Sequence, residues 1–391
     1  MKLLKLAVRN MLAAGTKTWL NALVLSFSFV AIIWAQSLFK GLDQESSRAL
    51  TDIEYGGGQY WVEGYDPLDP FSIRDAHKPV PPELAALETE GRAAPVLVVQ
   101  GTLYAGGRMQ SVLLKGIPPG QRLLILPTAS LAPADRETPA LLGTRMARAA
   151  GLKKGDMMTV RWRDVRGTFD ARDFVVAEVF ETTVPSADTG VVWIPLEDLR
   201  RLAGAAGEAT LVVVEKGYVS GPAVAGWTFK DTGFLLRDIR EFIEMKTIGS
   251  SIFYVILLAL AMLAIFNTQV LSIWRRRREI GTMIALGLTR ARVIALFTLE
   301  GSMLSLLAVL VGAVYGVPFL AWFAAHGWVM PVGQADSFGL ALGNTLYPVY
   351  SVGLVAGTAL LVFAVTTVVS FLPTRRIAKL KPTEAIKGKL S

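Results

Sequence analysis

The residue types that usually carry catalysis are sparse in this sequence of 391 residues. There is no cysteine, which excludes a disulfide, a thiolate metal site and a thiol nucleophile. The two histidines, His77 and His326, are far apart in the sequence, and Asp75 beside His77 is one carboxylate, too little for a metal site. Neither a phosphate-binding G-x-x-x-x-G-K-[ST] loop nor a G-x-S-x-G nucleophile elbow occurs. We therefore expect no enzyme, catalytic residue, metal or cofactor on this chain.

Polar side chains inside apolar runs are the next candidates. Glu300 lies within the apolar run 293–323, where an unpaired carboxylate is costly. A proton relay and an ion pair with the arginines at 275–278 or near Arg290 are the alternatives. The ion pair is favoured, because a single acid does not make a relay. Asn267 and Gln269, in the run 248–274, are candidates for hydrogen bonds to a neighbouring helix or within their own helix.

The elements that must hold these residues are apolar segments. Hydrophobic residues make up 52% of the chain and charged residues 18%, which indicates a membrane protein. Crossing a bilayer takes about 20 apolar residues in a helix. Four runs reach this length and predict four transmembrane helices, at 19–39, 248–274, 293–323 and 346–372. The first run exceeds the apolar core of about 7–15 residues in a cleavable signal peptide, so we predict an uncleaved anchor.

Basic residues are concentrated beside these runs. Segments 1–18, 275–292 and 373–391 together hold sixteen basic residues and two acidic ones. Because short loops rich in Lys and Arg stay in the cytoplasm, we predict that these segments and both termini are cytoplasmic. Segments 40–247 and 324–345 are then extracytoplasmic. The net charge of +8 is explained by this topology, and the arginine run 275–278 adjoins a span, which argues against nucleic acid as a partner.

Segment 40–247 has the pattern of a folded, mixed α+β domain. Apolar stretches flank Gly106 and Gly107 and predict a hairpin, because a Gly-Gly pair permits the backbone angles of a tight turn. The other predicted strands are 60–63, 158–162, 174–180, 191–195 and 210–215, and the predicted helices are 144–150 and 196–203. A helical pattern at 237–245 continues without proline into the second apolar run. One continuous helix is predicted there, with a flexible segment at Gly249 as the alternative.

The segment between the second and third runs predicts a short amphipathic helix. Ile280, Met283, Ile284 and Leu288 share one face at helical spacing. Such a face has to be buried, either in the membrane headgroup region or in a groove on another protein. Periodicity alone leaves both alternatives open.

Two pairs of glycines have the small-xxx-small spacing that lets membrane helices approach closely. Gly312 and Gly316 are in the third run, and Gly353 and Gly357 are in the fourth. This spacing is common, so it has little specificity.

Residues 276–287, RRREIGTMIALG, resemble the signature of the FtsX-like permease family of ABC transporters, of the MacB, LolC and LolE type. Residues 141–160 and 174–204 resemble successive parts of MacB-type outer domains, and residues 372–386 resemble the C-terminal end of the family. The order of one span, an outer domain and three spans is also the family order. Residues 51–82, rich in Gly, Pro and Asp, match no part of it and are either a specificity region or a surface loop.

The resemblance implies a permease subunit that is not itself an enzyme. Two permease protomers, identical or homologous, would pair with two cytoplasmic ATP-binding subunits that hold ATP and Mg. Only 18 residues precede the first run, so the ATPase is expected on a separate chain. The resemblance also implies that the inner loop is the coupling helix to the ATPase, formed by Arg278, Glu279, Ile280, Gly281, Met283, Ile284, Ala285, Leu286 and Gly287.

The implied function is ATP-driven movement of the outer domain at a bacterial inner membrane. Extraction or export of a lipoprotein or lipid ranks above efflux of hydrophobic compounds with a periplasmic adaptor or carrier. The alternative from another class is FtsX-like signalling to cell-wall hydrolases without transport, although outer domains of that type are usually smaller. The sequence leaves the cargo, the periplasmic partner and the identity of the second protomer open.

Overall fold

The computed structural model describes residues 15–132, 137–219, 221, 223–329, 341, 343, 345–375 and 377. The chain divides into two compact units, which we call the helical unit and the αβ unit. The helical unit comprises Met1–Leu42, Phe242–Val329 and Thr345–Ser391, and the αβ unit comprises Asp43–Glu241 and Met330–Asn344. The basic segments predicted at residues 1–14 and 378–391 lie outside the described residues.

Both units are built from the following elements. The strands are β1 (Gly58–Val62), β2 (Lys78–Pro79), β3 (Ala93–Ala105), β4 (Arg108–Ile117), β5 (Thr138–Gly143), β6 (Met157–Arg163), β7 (Phe169–Phe180), β8 (Val191–Pro195), β9 (Glu208–Ala209), β10 (Leu211–Val214), β11 (Trp227–Asp231), β12 (Trp328–Val329) and β13 (Thr345–Leu346). The helices are α1 (Thr16–Leu50), α2 (Pro70–Asp75), α3 (Pro82–Thr89), α4 (Thr144–Ala150), α5 (Pro185–Asp188), α6 (Leu196–Ala203), α7 (Thr232–Leu235), α8 (Arg237–Arg275), α9 (Arg277–Ala285), α10 (Arg290–His326) and α11 (Val352–Thr374). A π-helical turn (Thr51–Tyr55) follows α1, and a 3₁₀ turn (Thr128–Leu131) precedes β5.

The αβ unit mixes short helices with a large sheet, as its sequence pattern predicts. Helices α4 and α6 have the predicted bounds. The predicted hairpin is formed by β3 and β4, and it turns at Gly106 and Gly107, where φ is 54° and 74°. Positive φ at both turn residues gives the tight turn a twist that matches the two strands.

Nine strands form one sheet in the order β11-β1-β10-β3-β4-β8-β5-β7-β6. Strand β3 is long enough to pair with β10 near its start, with β4 along most of its length, and with β6 near its end. Strand β6 also pairs with β7, at the other end of the same series. Six strands therefore close into a ring of hydrogen-bonded neighbours, in the order β3, β4, β8, β5, β7 and β6.

Side-chain alternation along β6 shows how the ring is filled. Met158, Val160 and Trp162 are buried in the core with residues of α4 and α6, while Arg161 and Arg163 point to the other face and are exposed. Successive side chains of a strand lie on opposite faces, so this strand separates an apolar interior from a basic exterior.

Two enclosed carboxylates stabilise the αβ unit. Asp188 is completely buried and accepts hydrogen bonds of 3.0 Å from the backbone N–H groups of Arg145 and Met146, at the start of α4. It therefore satisfies donors that a helix N-terminus leaves without an intrahelical partner. Glu54, on the π-helical turn, pairs with Lys115 of β4, with 2.9 Å between Nζ and Oε1, and also accepts from the Ser186 hydroxyl.

Helices that are long and apolar enough to cross a membrane lie mainly in the helical unit. They are Thr18–Tyr55, Arg237–Arg275, Arg290–His326 and Val352–Thr374, which supports the prediction of a membrane protein. Each helix has an apolar stretch of 18 residues. In the first helix 56% of this stretch is buried inside the protein, and in the second, third and fourth helices the buried share is 22%, 28% and 17%. The first helix is therefore packed most completely, and the other three keep broad apolar surfaces.

Two helix bounds can be compared with the predicted spans. Helix α8 is continuous from Arg237 to Arg275, as predicted, and Gly249 lies within it. The fourth helix starts at Val352, later than the predicted 346. Thr345–Leu346 pairs instead with Trp328–Val329 as a short antiparallel ribbon. The Ser351 side chain then caps the helix by accepting from the Leu354 N–H at 3.3 Å.

Candidate partner-docking site on helix α9

Helix α9 is separated from α8 by Arg276, whose backbone angles are not helical, and it ends in a specific turn. The Leu288 N–H donates to the Met283 carbonyl at 3.1 Å, and the Gly287 N–H donates to the Ile284 carbonyl at 3.1 Å. These two bonds form a Schellman motif, in which the residue after the cap takes a positive φ. Gly287 has a φ of 98°, a backbone angle that residues other than glycine rarely adopt. The final glycine of the RRREIGTMIALG segment therefore ends the helix.

The predicted apolar face of α9 is partly covered within this chain. Ile280 is completely buried in a cluster formed by Ile273, Val293, Phe297 and Ile377. The other residues of that face, Met283, Ile284 and Leu288, pack partly against the same cluster. Residues of α8 and α10 therefore bury Ile280, whereas Met283, Ile284 and Leu288 remain half-exposed, so the headgroup region and another protein both stay open as partners for the rest of this face.

The opposite face of α9 is open. Arg278, Thr282 and Leu286 follow one another at four-residue spacing and are exposed, with Leu286 at 78%. Of the predicted site residues, those exposed are Arg278, Glu279, Ala285, Leu286 and Gly287, those half-buried are Met283 and Ile284, and those buried are Ile280 and Gly281. Thr282 was missed because it is neither charged nor apolar. Its place one turn from Arg278 was the signal that could have found it.

Arg276 connects α9 to helix α10. Its Nε lies 2.9 Å from Glu279 Oε2 on α9, and its Nη1 lies 2.8 Å from Glu300 Oε2 on α10. The guanidinium carbon also lies 4.7 Å from the ring centroid of Phe297. Glu300, with only 10% of its side chain exposed, is thus in an ion pair, which agrees with the pairing alternative rather than with an isolated relay carboxylate. Sequence reasoning placed the arginine run near Glu300 but did not single out Arg276.

The two polar residues of α8 that were candidates for contacts to a neighbouring helix, Asn267 and Gln269, are placed differently from each other. Asn267 is exposed, and it makes no side-chain hydrogen bond with any residue that the structure describes. The adjacent Thr268 instead accepts a 2.8 Å bond from the Asn21 amide on α1. Gln269 turns towards α10, where its amide approaches Gly301. A rotation of about 100° per residue separates these positions, and the sequence did not determine which one faces α1.

The histidines do not form a metal site in the described part of the chain. His77 contacts the Glu208 carboxylate, and Asp75 is bound by Arg74 through two hydrogen bonds of 3.1 and 3.0 Å. Within the same residues, no group of three or more His, Cys, Asp or Glu side chains is placed to hold a metal ion.

Comparison with known proteins connects this site to a family. Residues 251–382 match the family described as FtsX-like permease C-terminal. The matched range includes most of α8 and all of α9, α10 and α11. The site built around Arg276 therefore lies entirely inside the matched region.

Several relatives extend beyond this region. The chain is 23% identical over 335 residues to the lipoprotein-releasing system transmembrane protein LolC of Neisseria meningitidis, covering 75% of this chain and 77% of that protein. It is 29% identical over 124 residues to the macrolide export ATP-binding/permease protein MacB of Nitrobacter winogradskyi, covering 32% of this chain and 17% of that protein.

Among solved structures, the periplasmic region of MacB from Actinobacillus actinomycetemcomitans aligns with a TM-score of 0.33 and 13% identity. The alignment covers 49% of this chain and 95% of that one. By sequence, residues 251–382 are thus similar to the FtsX-like permease C-terminal family, and the chain is similar to LolC-type and MacB-type ABC permeases at modest identity.

Proposed function

We propose that this chain is the permease subunit of an ABC transporter, with ATP hydrolysed by a separate cytoplasmic subunit that docks on the open face of α9. The observation that carries the proposal is the fixed placement of α9. Ile280 of α9 is buried against α8 and α10, and Arg276 joins the start of α9 to Glu300. A force applied to the open face of α9 would therefore move α8 and α10 together with α9, because α9 is not free to reorient by itself.

The continuous helix α8 supports movement of the αβ unit as the output. It runs for 39 residues without a break from within the αβ unit into the helical unit. A helix rises about 1.5 Å per residue, so one of this length can carry a displacement over tens of ångströms. We propose a pair of permease protomers with two ATP-binding subunits at a bacterial inner membrane, with the αβ unit on the periplasmic side.

Release or extraction of a lipoprotein or lipid is the proposed task. The match to LolC covers about three quarters of both chains, whereas the match to MacB covers 32% of this chain. The MacB match favours efflux of hydrophobic compounds with a periplasmic adaptor as the second candidate. Reconstitution with the ATP-binding subunit separates the two, because lipoprotein release from vesicles is expected for the first and export of a toxic compound for the second.

Affinity purification of the detergent-solubilised chain, followed by mass spectrometry, tests the docking site. We expect an ATP-binding subunit to be recovered with the native chain and lost with the double variant Thr282→Arg, Leu286→Asp. These substitutions change the open face only. Variants of Arg276 or Gly287 would be poor tests, because those residues hold α9 in place and end it.

Val219→Asp is the matched control, because Val219 is 83% exposed and lies in the αβ unit. The control variant should retain the ATP-binding subunit. Recovery of no ATP-binding subunit with the native chain would contradict the transporter proposal. Equal recovery with the native chain and the double variant would show that docking occurs elsewhere.

A further inference from the structure

A groove of about 470 Å³ lies on the αβ unit between helix α2 and the hairpin of β6 and β7. Its floor is strand β3, where Val99 and Thr102 are half-buried and Gln100 is exposed. One wall belongs to residues 51–82, the stretch whose sequence matches no part of the family. The groove is distinct from α9, and its chemistry does not depend on whether an ATP-binding subunit docks on that helix.

The first wall presents an aromatic side chain that the fold does not need. Helix α2 is attached to the unit by Ile73, which is 4% exposed, and by a 2.6 Å bond from the Gln100 amide to the Pro70 carbonyl. Phe71, on the same short helix, lines the groove and remains 85% exposed. Leaving a ring of this size in water forfeits a large share of the free energy that its burial would supply. The stability of the fold therefore does not explain why an aromatic side chain is placed at position 71.

The second wall combines another exposed ring with two arginines. Phe169 is 61% exposed, and the guanidinium carbons of Arg161 and Arg163 lie 4.3 and 5.9 Å from its ring centroid. Across the described residues, no carboxylate is within ion-pair distance of Arg161 or Arg163. Arg163 donates through Nε to the Gly167 carbonyl at 2.9 Å, which leaves its Nη groups for a ligand.

The acidic groups near the groove are engaged elsewhere. Asp75 is held by two hydrogen bonds from Arg74, which lower the pKa of this carboxyl, with a smaller contribution from the charge of Arg163. Asp164 accepts from the backbone N–H groups of Arg166 and Thr168 and lies 3.5 Å from the Arg166 Nε. The two arginines beside Phe169 therefore keep a positive field directed at the groove.

We propose that this groove binds an anionic amphiphile, with a phosphate or carboxylate headgroup at Arg161 and Arg163 and an apolar chain between Phe71 and Phe169 over β3. Guanidinium groups match the geometry of phosphate and carboxylate oxygens, and the charge strengthens each hydrogen bond. The two exposed aromatic rings suit an acyl chain. The volume is within the range of about 300–1,000 Å³ that is typical of small-ligand sites.

The test uses the full chain in nanodiscs of phosphatidylcholine. Because the native sequence has no cysteine, Leu68→Cys provides a single attachment point for an environment-sensitive fluorophore beside the groove without removing a lining residue. Titration with a lysophosphatidylglycerol of 14 carbons should give a saturable blue shift. We expect Arg161→Gln with Arg163→Gln to weaken binding by about tenfold or more, because the charge-assisted hydrogen bonds to the headgroup are removed.

Three controls make the result specific. Arg172→Gln should bind as the native chain does, because Arg172 pairs with the buried position Val160 and so belongs to the other face of the hairpin. The zwitterionic lysophosphatidylcholine and inorganic phosphate should each bind at least tenfold more weakly than lysophosphatidylglycerol. A fluorophore at Val219→Cys, which is not part of the groove, should not respond.

Several outcomes would overturn the proposal. Equal affinity for the zwitterionic lipid would leave only a non-specific apolar surface, and equal affinity for inorganic phosphate would leave an anion site without a chain-binding function. Unchanged binding after both arginines are replaced, or an equal response at Val219→Cys, would show that the lipid acts through the nanodisc rather than through this groove.

Discussion

The two units of this protein each contain an ion pair between elements, and the two pairs differ in how they are enclosed. In the αβ unit, Glu54 and Lys115 expose 15% and 10% of their side chains, and the Ser186 hydroxyl also bonds to the glutamate. In the helical unit, Arg276 exposes 25% of its side chain and shares its charge between the enclosed Glu300 and Glu279, which is 63% exposed. The first pair is sealed inside a domain, whereas the second reaches solvent on one side.

This difference indicates different uses of the same chemistry. A charge that is buried without its partner carries a desolvation cost of several kcal/mol, so the sealed pair ties the turn after α1 firmly to β4. A pair at the edge of solvent can rearrange at lower cost, because water and a second carboxylate compensate the charge. The enclosed contact suits a permanent junction, and the open one suits a site that another protein loads and releases.

Replacing Lys115 by Met should give the largest effect. The substitution leaves Glu54 buried without its cation, and breaking a buried pair in this way typically costs about 3–5 kcal/mol. Guanidinium unfolding of the solubilised chain, followed by tryptophan fluorescence, measures it. Trp193 is a local reporter, because its ring centroid is 5.2 Å from Lys115 Nζ.

The double variant Glu54→Gln, Lys115→Met separates the stranded charge from the lost packing. With both charges removed, a large part of the stability lost in the single variant should return. A double variant as unstable as Lys115→Met alone would mean that shape, and not charge, holds this junction.

The two pairs of glycines with small-xxx-small spacing also differ in how closely they are packed, and the pair on α10 predicts the next largest loss of stability. A Cβ atom on Gly316 of α10 would lie 2.7 Å from Val30 Cγ2 on α1, so the two helices touch there. Gly316→Leu should therefore destabilise the helical unit by about 1–3 kcal/mol through overpacking. The thermal midpoint of the solubilised chain is the measurement, and an unchanged midpoint would show that α1 and α10 can separate freely.

Arg276→Met should have a smaller effect on stability than Lys115→Met. It removes the hydrogen bonds to Glu279 and Glu300. Glu279 is hydrated and contributes little to the loss, whereas the lost bond to the enclosed Glu300 dominates it, so a loss of about 1.5–3 kcal/mol is expected. Thermal unfolding of the two variants in the same detergent gives a direct comparison. A loss as large as that of Lys115→Met would contradict the view that the pair in the helical unit tolerates rearrangement.

Much of the secondary structure could be predicted from the sequence, because its cause is local. The Gly106–Gly107 hairpin, helices α4 and α6 and the uninterrupted α8 follow from turn residues, periodicity and the absence of proline. The surroundings of α9 could not be predicted in the same way. Periodicity identified the apolar face around Ile280, but it did not reveal that distant residues such as Ile377 cover it.

The groove on the αβ unit was even less accessible to sequence reasoning. It depends on a short helix near residue 70 meeting a hairpin about 90 residues later, and only the folded chain places Phe71 across from Phe169. The closed ring of strands has the same origin, because the pairing of β3 with β6 depends on tertiary contacts and leaves no local pattern.

The smallest effect is expected at Gly357, and it completes the contrast with Gly316. The spacing of Gly353 and Gly357 is the same as that of Gly312 and Gly316, yet a Cβ atom on Gly357 would meet no atom within 4 Å. Gly357→Leu should therefore change the stability of the solubilised chain by no more than about 0.5 kcal/mol. If its thermal midpoint falls as far as that of Gly316→Leu, the surface around Gly357 is occupied in the solubilised protein, and a second protomer becomes the candidate for the contact. A midpoint equal to that of the native chain would confirm that one glycine spacing serves a helix contact in α10 and leaves an open surface in α11.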